Sequence, residues 1–186
     1  MPITRFLSGL LIASVVWAAA QPRGKSDAQA ERIVNKKYAF SVIRPDRWYV
    51  FLGGDVPGFY NFPAEKMLPQ GQLPPGGAAL QMHVSAAGRP FEAGELSRWA
   101  ESVAAARHGA NAKQQSIDGP ESQQGLKLTF DQLPLGVPGD TLLTVLLAWQ
   151  ARGTIFGAEL TYIKGDPHAE QYERVLIELM RSFRPQ

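Results

Sequence analysis

Three histidines, His83, His108 and His168, are the side chains of this 186-residue chain best suited to move protons or hold a metal near neutral pH. Their settings point elsewhere. No H-E-x-x-H or similar His/carboxylate spacing surrounds any of them. The sequence has no cysteine, which excludes disulfides, thiolate metal sites and thiol catalysis. His83 falls on the polar side of an alternating stretch. His108 ends a helical pattern, where a protonated imidazole suits the helix dipole, and His168 sits in the first turn of a second helix. Serine chemistry lacks its motifs too, since neither G-x-S-x-G nor S-x-x-K occurs. Gly24-Lys25-Ser26 imitates the end of a phosphate loop, but Ala19 occupies the place of the earlier glycine and no strand precedes it. Asp118 and Glu121 flank a turn, where Asp serves the backbone. The residue inventory implies no catalytic set, no cofactor and no metal.

What remains for function is surface. Residues 53–77 hold six glycines and five prolines in twenty-five positions, too many for a long regular element. Phe59 and Phe62 bracket a run short enough for one strand and are expected to pack into a sheet. Tyr60, Lys66 and Met67 are candidate partner contacts, because long irregular loops with aromatics and methionine often form contact surfaces. Leu135 and Val137, in a second Pro/Gly loop over 133–140, join them if both loops lie at one end of the fold.

The elements that must position these residues read clearly. Tyr38, Phe40 and Val42 alternate with Ala39, Ser41 and Ile43; Arg44-Pro45-Asp46-Arg47 then offers a turn, and Trp48 and Val50 open a return run. The whole reads as a hairpin. Leu80, Met82 and Val84, set against Gln81 and His83, mark a half-buried strand. Over 91–108 the period becomes helical, with Leu96, Trp99, Val103 and Ala106 on one face, and Gly109 stands where a helix end favours a left-handed residue. Strands follow over 113–117, 126–130, 142–149 and 156–162. The third is apolar on both faces and belongs inside a sheet covered on each side. Asp166 caps and Pro167 opens a second helix, with Tyr172, Val175, Leu176, Leu179 and Phe183 as its stripe. The fold class is α+β: a twisted antiparallel sheet of about six to eight strands with a helix on each face, in one domain over 33–185.

The ends bear on location. Arg5 precedes fifteen uncharged residues, 6–20, that finish in Ala18-Ala19-Ala20. This is the pattern of a secretory signal peptide over 1–20 with cleavage near Ala20-Gln21. It is shorter than the roughly 20 apolar residues of a membrane span. The mature chain is therefore expected in the periplasm or outside the cell, not spanning a membrane, with 21–32 as a polar linker. The net charge of +2 gives no basic footprint, which excludes nucleic acid as a partner.

The Tyr-x-Phe-x-Val run of Tyr38, Phe40 and Val42, turning at Pro45 just before Trp48, resembles the opening of PsbP-like domains. A late strand, a capped helix and the closing Ser182-Phe183 extend the likeness over roughly residues 33–185. The family includes the photosystem II extrinsic protein PsbP, bacterial homologues of unknown role and a Ran-binding nuclear import factor. The resemblance implies an α/β/α sandwich around an antiparallel sheet. It implies no single function, since members bind different partners and most are not enzymes, and no family ligand position maps onto a residue here. The sequence thus reads as an exported, non-enzymatic binding or accessory domain of the cell envelope that meets a protein partner through its loops. One alternative is a carrier of a small apolar ligand in a cavity between sheet and helix, lined by Trp48, Met82 and Trp99. The other is a hydrolase with an unfamiliar site, which requires a histidine within reach of a serine or of a carboxylate in a cleft.

Overall fold

The computed structural model describes residues 31–51, 54–69, 72–86, 92, 94–132 and 139–186. The signal-like segment, the linker as far as residue 30, and also Leu135 and Val137, lie outside these described residues; Arg32, expected to end the linker, instead opens the first strand. Four short strands come first: β1 (Arg32–Asn35), β2 (Phe40–Ile43), β3 (Tyr49–Phe51) and β4 (Gly58–Tyr60). β5 (Ala78–Ala86) and α1 (Glu95–Ala106) follow, then β6 (Gly109–Asp118), β7 (Gln124–Gln132), β8 (Leu142–Ala151) and β9 (Thr154–Ile163). α2 (Ala169–Ser182) and β10 (Arg184–Pro185) close the chain. Seven strands form one antiparallel sheet in the order β3-β4-β5-β9-β8-β7-β6, and β1-β2-β10 form a second, small one.

Period-2 alternation assigns the faces. Along β9, Phe156, Ala158, Leu160 and Tyr162 join the core beneath α2, while Ile155 joins the core beneath α1. β8 divides likewise, with Val145, Leu147 and Trp149 toward α2 and Leu146 and Ala148 toward α1. This is why the run 142–149 is apolar on both sides. The two helices cover opposite faces, as the sequence pattern requires. α2 buries Tyr172, Leu176, Leu179 and Met180, and shares its face with Phe40 and Val42 of the small sheet. On α1 the deepest residues are Leu96, Ala100 and Ala104. Trp99 and Val103 are partly buried beside them, and Ala106 is exposed.

Two local expectations fail for physical reasons. The run 38–51 is not a hairpin, because β2 pairs with β1 and β10 whereas β3 pairs with β4. The turn, in which the Trp48 N–H donates to the Pro45 carbonyl at 3.2 Å, carries the chain from the small sheet to the large one. Phe40, Val42 and Trp48 all enter the core beneath α2. The alternation therefore reports burial and leaves the pairing partner open. At the end of α1 the left-handed residue is His108 (φ 53°), not Gly109. Gly109 answers a space requirement instead: a Cβ there would meet the Phe130 ring at 2.7 Å and the Ala104 carbonyl at 3.0 Å.

Candidate functional site

α1 packs on β6, β7 and β8. Beyond that footprint, the same side of the sheet carries an aromatic row. Direct pairing of Tyr49 with Tyr60, and of Tyr60 with Ala79, sets these residues on the face opposite Phe59, which is buried in the α2 core. Phe51 meets Tyr60 edge-on with ring centroids 5.9 Å apart, and Tyr60 meets Phe62 at 5.3 Å. Exposure grades along the row: Phe62 is buried, Phe51 and Tyr60 are half-buried, and Tyr49 is 43% exposed. Burial pushes the Tyr60 phenol up from its ordinary value. Such amphipathic rings, partly covered and partly open, are the side chains enriched in protein interfaces.

The loop that leaves β4 begins at the Tyr60 end. It continues through a 3₁₀ turn, Ala64–Lys66, with Lys66 exposed, Met67 half-buried and Leu68 41% exposed. The Asn61 side chain anchors its base, accepting from the Ala78 N–H at 2.7 Å and donating to the Gly76 carbonyl at 2.9 Å. Strand register places Gln132 and Leu142, which flank 133–138, at this same end of the sheet. Of the candidate contacts, Tyr60, Lys66 and Met67 thus share one end with the stems of the second loop. Phe59 and Phe62 are core residues, as their strand-like spacing implies.

A polar cluster borders the row on the next strands. Glu159, on β9, is only 4% exposed. Its Oε2 lies 2.9 Å from His83 Nε2 on β5, and its Oε1 lies 3.2 Å from an Arg107 Nη2 just past α1. Trp99 closes the cluster from the helix, 6.2 Å from the His83 ring. Burial alone would raise the Glu159 carboxyl. The His83 hydrogen bond and the Arg107 charge outweigh it, and the carboxyl is held below the ordinary glutamate value. Asp131 is likewise lowered, first by the Lys164 hydrogen bond at 2.8 Å and then by Asn111 at 2.9 Å.

A group whose folded value is depressed stabilises the fold above its unfolded value, and that stabilisation disappears as pH falls through the folded value. Stability measured by denaturant titration should therefore hold at neutral pH and decline below about pH 4.5, the ordinary glutamate value. Glu159→Gln should flatten the decline. An unchanged pH profile in that variant would remove Glu159 from the account.

Gly157 shows how tightly Trp99 seats. A Cβ at that glycine would lie 2.6 Å from the Trp99 ring and 3.2 Å from Leu146. Gly157→Ala should cost about 1–3 kcal/mol by overpacking. Trp99→Leu in the same chain should recover part of that loss in thermal melts, and a purely additive double variant would contradict the contact.

His83 beside a buried carboxylate is the arrangement a hydrolase would need, but Arg107 already compensates that carboxylate. No serine or threonine hydroxyl bonds the imidazole among the described residues. No group of three His, Asp or Glu side chains that could hold a metal occurs among them either. His108 and His168 stand apart, the second bonded to Asp166 at 3.1 Å. The cavity expected between Trp48, Met82 and Trp99 does not form, since Trp48 and Met82 fill the α2 core and Trp99 lies across the sheet.

Sequence reasoning missed Tyr49 and Phe51, because the assumed hairpin drew attention to the opposite parity of Trp48 and Val50. It also missed Glu159, although a lone carboxylate inside the apolar run 155–162 was a legible signal.

The fold so defined is the α+β fold of Mog1p and PsbP. Among solved structures, the yeast (Saccharomyces cerevisiae) Ran-binding protein Mog1p is similar at 9% identity and a TM-score of 0.56, covering 86% of this chain and 96% of its own. Cyanobacterial PsbP from Synechocystis is similar at 15% identity and a TM-score of 0.55, covering 90% of this chain and 98% of its own. A Pseudomonas aeruginosa protein of unknown function matches at 16% identity and a TM-score of 0.50, covering 86% of this chain and all of its own. No protein-family model and no curated protein sequence matches the chain. At these identities the likeness is one of fold. No helix among the described residues is long and apolar enough to cross a membrane.

Proposed function

We propose that this protein is an exported, non-enzymatic binding domain of the cell envelope. In this reading it docks a protein partner on the open sheet face of Tyr49, Phe51 and Tyr60 and on the adjoining loop with Lys66 and Met67. The observation that carries it is the graded aromatic row outside the α1 footprint, where Tyr49, the register partner of Tyr60, remains 43% exposed beside the packed rings of Phe51, Tyr60 and Phe62. A buried base with an open tip suits an anchoring contact, because the rings are already ordered and lose little freedom on binding. Export rests on the signal-like segment 1–20. The same fold in a Ran-binding protein supports protein recognition as a use of the scaffold. The test is co-purification from host envelope extract with Tyr49→Asp and with Val34→Asp. Val34 is a 51% exposed apolar residue on the small sheet and serves as the control. One partner retained by wild type and Val34→Asp, and reduced at least tenfold by Tyr49→Asp, is the expected result. Equal recovery in all three would refute this docking face.

A further inference from the structure

On the other side of the sheet, between α2 and strands β6–β8, lies a pocket of about 350 Å³. That is at the small end of the roughly 300–1,000 Å³ of ligand sites. Its floor is apolar, formed by the buried Val145, Leu147 and Leu176. Its rim carries two cations and two anions. Lys127 and Glu173 satisfy one another at 2.8 Å, and Glu173 also accepts the Tyr162 hydroxyl at 3.2 Å. The other two are Asp118, at the end of β6, and Arg181, in the last turn of α2. Neither side chain has a hydrogen-bond or ion-pair partner among the described residues.

We infer that this pocket binds a small zwitterion with an apolar body, its ammonium on Asp118 and its carboxylate on Arg181, as in an apolar amino acid or dipeptide. The reason is electrostatic balance. The rim sums to zero charge, so a singly charged ligand would pair with one free group and be repelled by the other. A zwitterion makes a charge-assisted hydrogen bond at each end, while its body displaces water from the apolar floor. The site is independent of the partner face, which lies across the sheet.

Calorimetric titration of the full chain with L-phenylalanine, L-leucyl-L-leucine, 3-phenylpropionate and 2-phenylethylamine tests this directly. At least one zwitterion should bind about tenfold more tightly than either single-charge probe. Arg181→Gln and Asp118→Asn should each weaken it by about tenfold, the scale of one charge-assisted hydrogen bond. Ile177→Trp, on the pocket wall, should abolish binding while the far-ultraviolet dichroism and the cooperative thermal melt stay native, and bound-state amide shifts of the wild type should map to α2 and β6–β8. Binding of 3-phenylpropionate or 2-phenylethylamine as tight as that of the zwitterions would overturn the proposal. So would binding that survives Arg181→Gln and Asp118→Asn, or no binding of any probe at millimolar concentration.

Discussion

Phe183→Ala should be the most damaging single truncation in the chain, costing about 3–5 kcal/mol. Phe183 directly follows α2 and precedes β10, and it is 1% exposed. Its ring stacks on Phe40 of the small sheet at 5.8 Å and touches Phe156 of β9 at 4.7 Å and Trp149 of β8 at 5.1 Å. One side chain thereby joins both sheets at the C-terminal end of α2. The loss combines the transfer of a large apolar group with a void that three rigid rings cannot close. For a domain whose total stability lies within about 5–15 kcal/mol, that is a large share. The check is denaturant unfolding followed by tryptophan fluorescence. A loss below about 1 kcal/mol, outside the range for large-to-small core changes, would mean that the junction does not hold the sheets together.

His83→Leu should come next, at about 1.5–3 kcal/mol, the range for losing a hydrogen bond to a charged group, since Arg107 remains on Glu159. The informative comparison is with Glu159→Leu, which removes the buried charge itself and places an apolar side chain beside Leu146. Its two former partners can turn to water, His83 from 22% and Arg107 from 42% side-chain exposure. Glu159→Leu should therefore cost far less than His83→Leu, although it deletes more interactions. Equal costs in thermal and denaturant melts would show that the cluster acts through packing and not through charge compensation.

Most of the fold is legible in the sequence, because burial on two faces leaves a period that needs no partner to be read. Strands 126–130, 142–149 and 156–162, the stripe of the second helix and, Ala106 excepted, that of the first follow from it. Partner choice does not. Tyr38–Phe51 looks like a hairpin because its two arms share one core, and only register distinguishes a shared core from a shared ladder. β10 was hidden because it is two residues long and contains Pro185, which is tolerated there at a sheet edge. Of the site, Tyr60, Lys66 and Met67 could be nominated from loop composition. Tyr49 could not, since its exposure depends on where α1 stops. The Glu159 cluster draws one residue each from β5 and β9 and one from the end of α1, and no local spacing links them.

The central functional claim is that the aromatic row and its loop meet a protein partner. A photo-reactive residue placed singly at Tyr49, Lys66 or Val34 in the native host, with adducts identified by mass spectrometry, tests it most directly. The account predicts one and the same envelope protein cross-linked from positions 49 and 66 and none from position 34. Absence of any adduct at 49 and 66, or an identical set of adducts at all three positions, would contradict it.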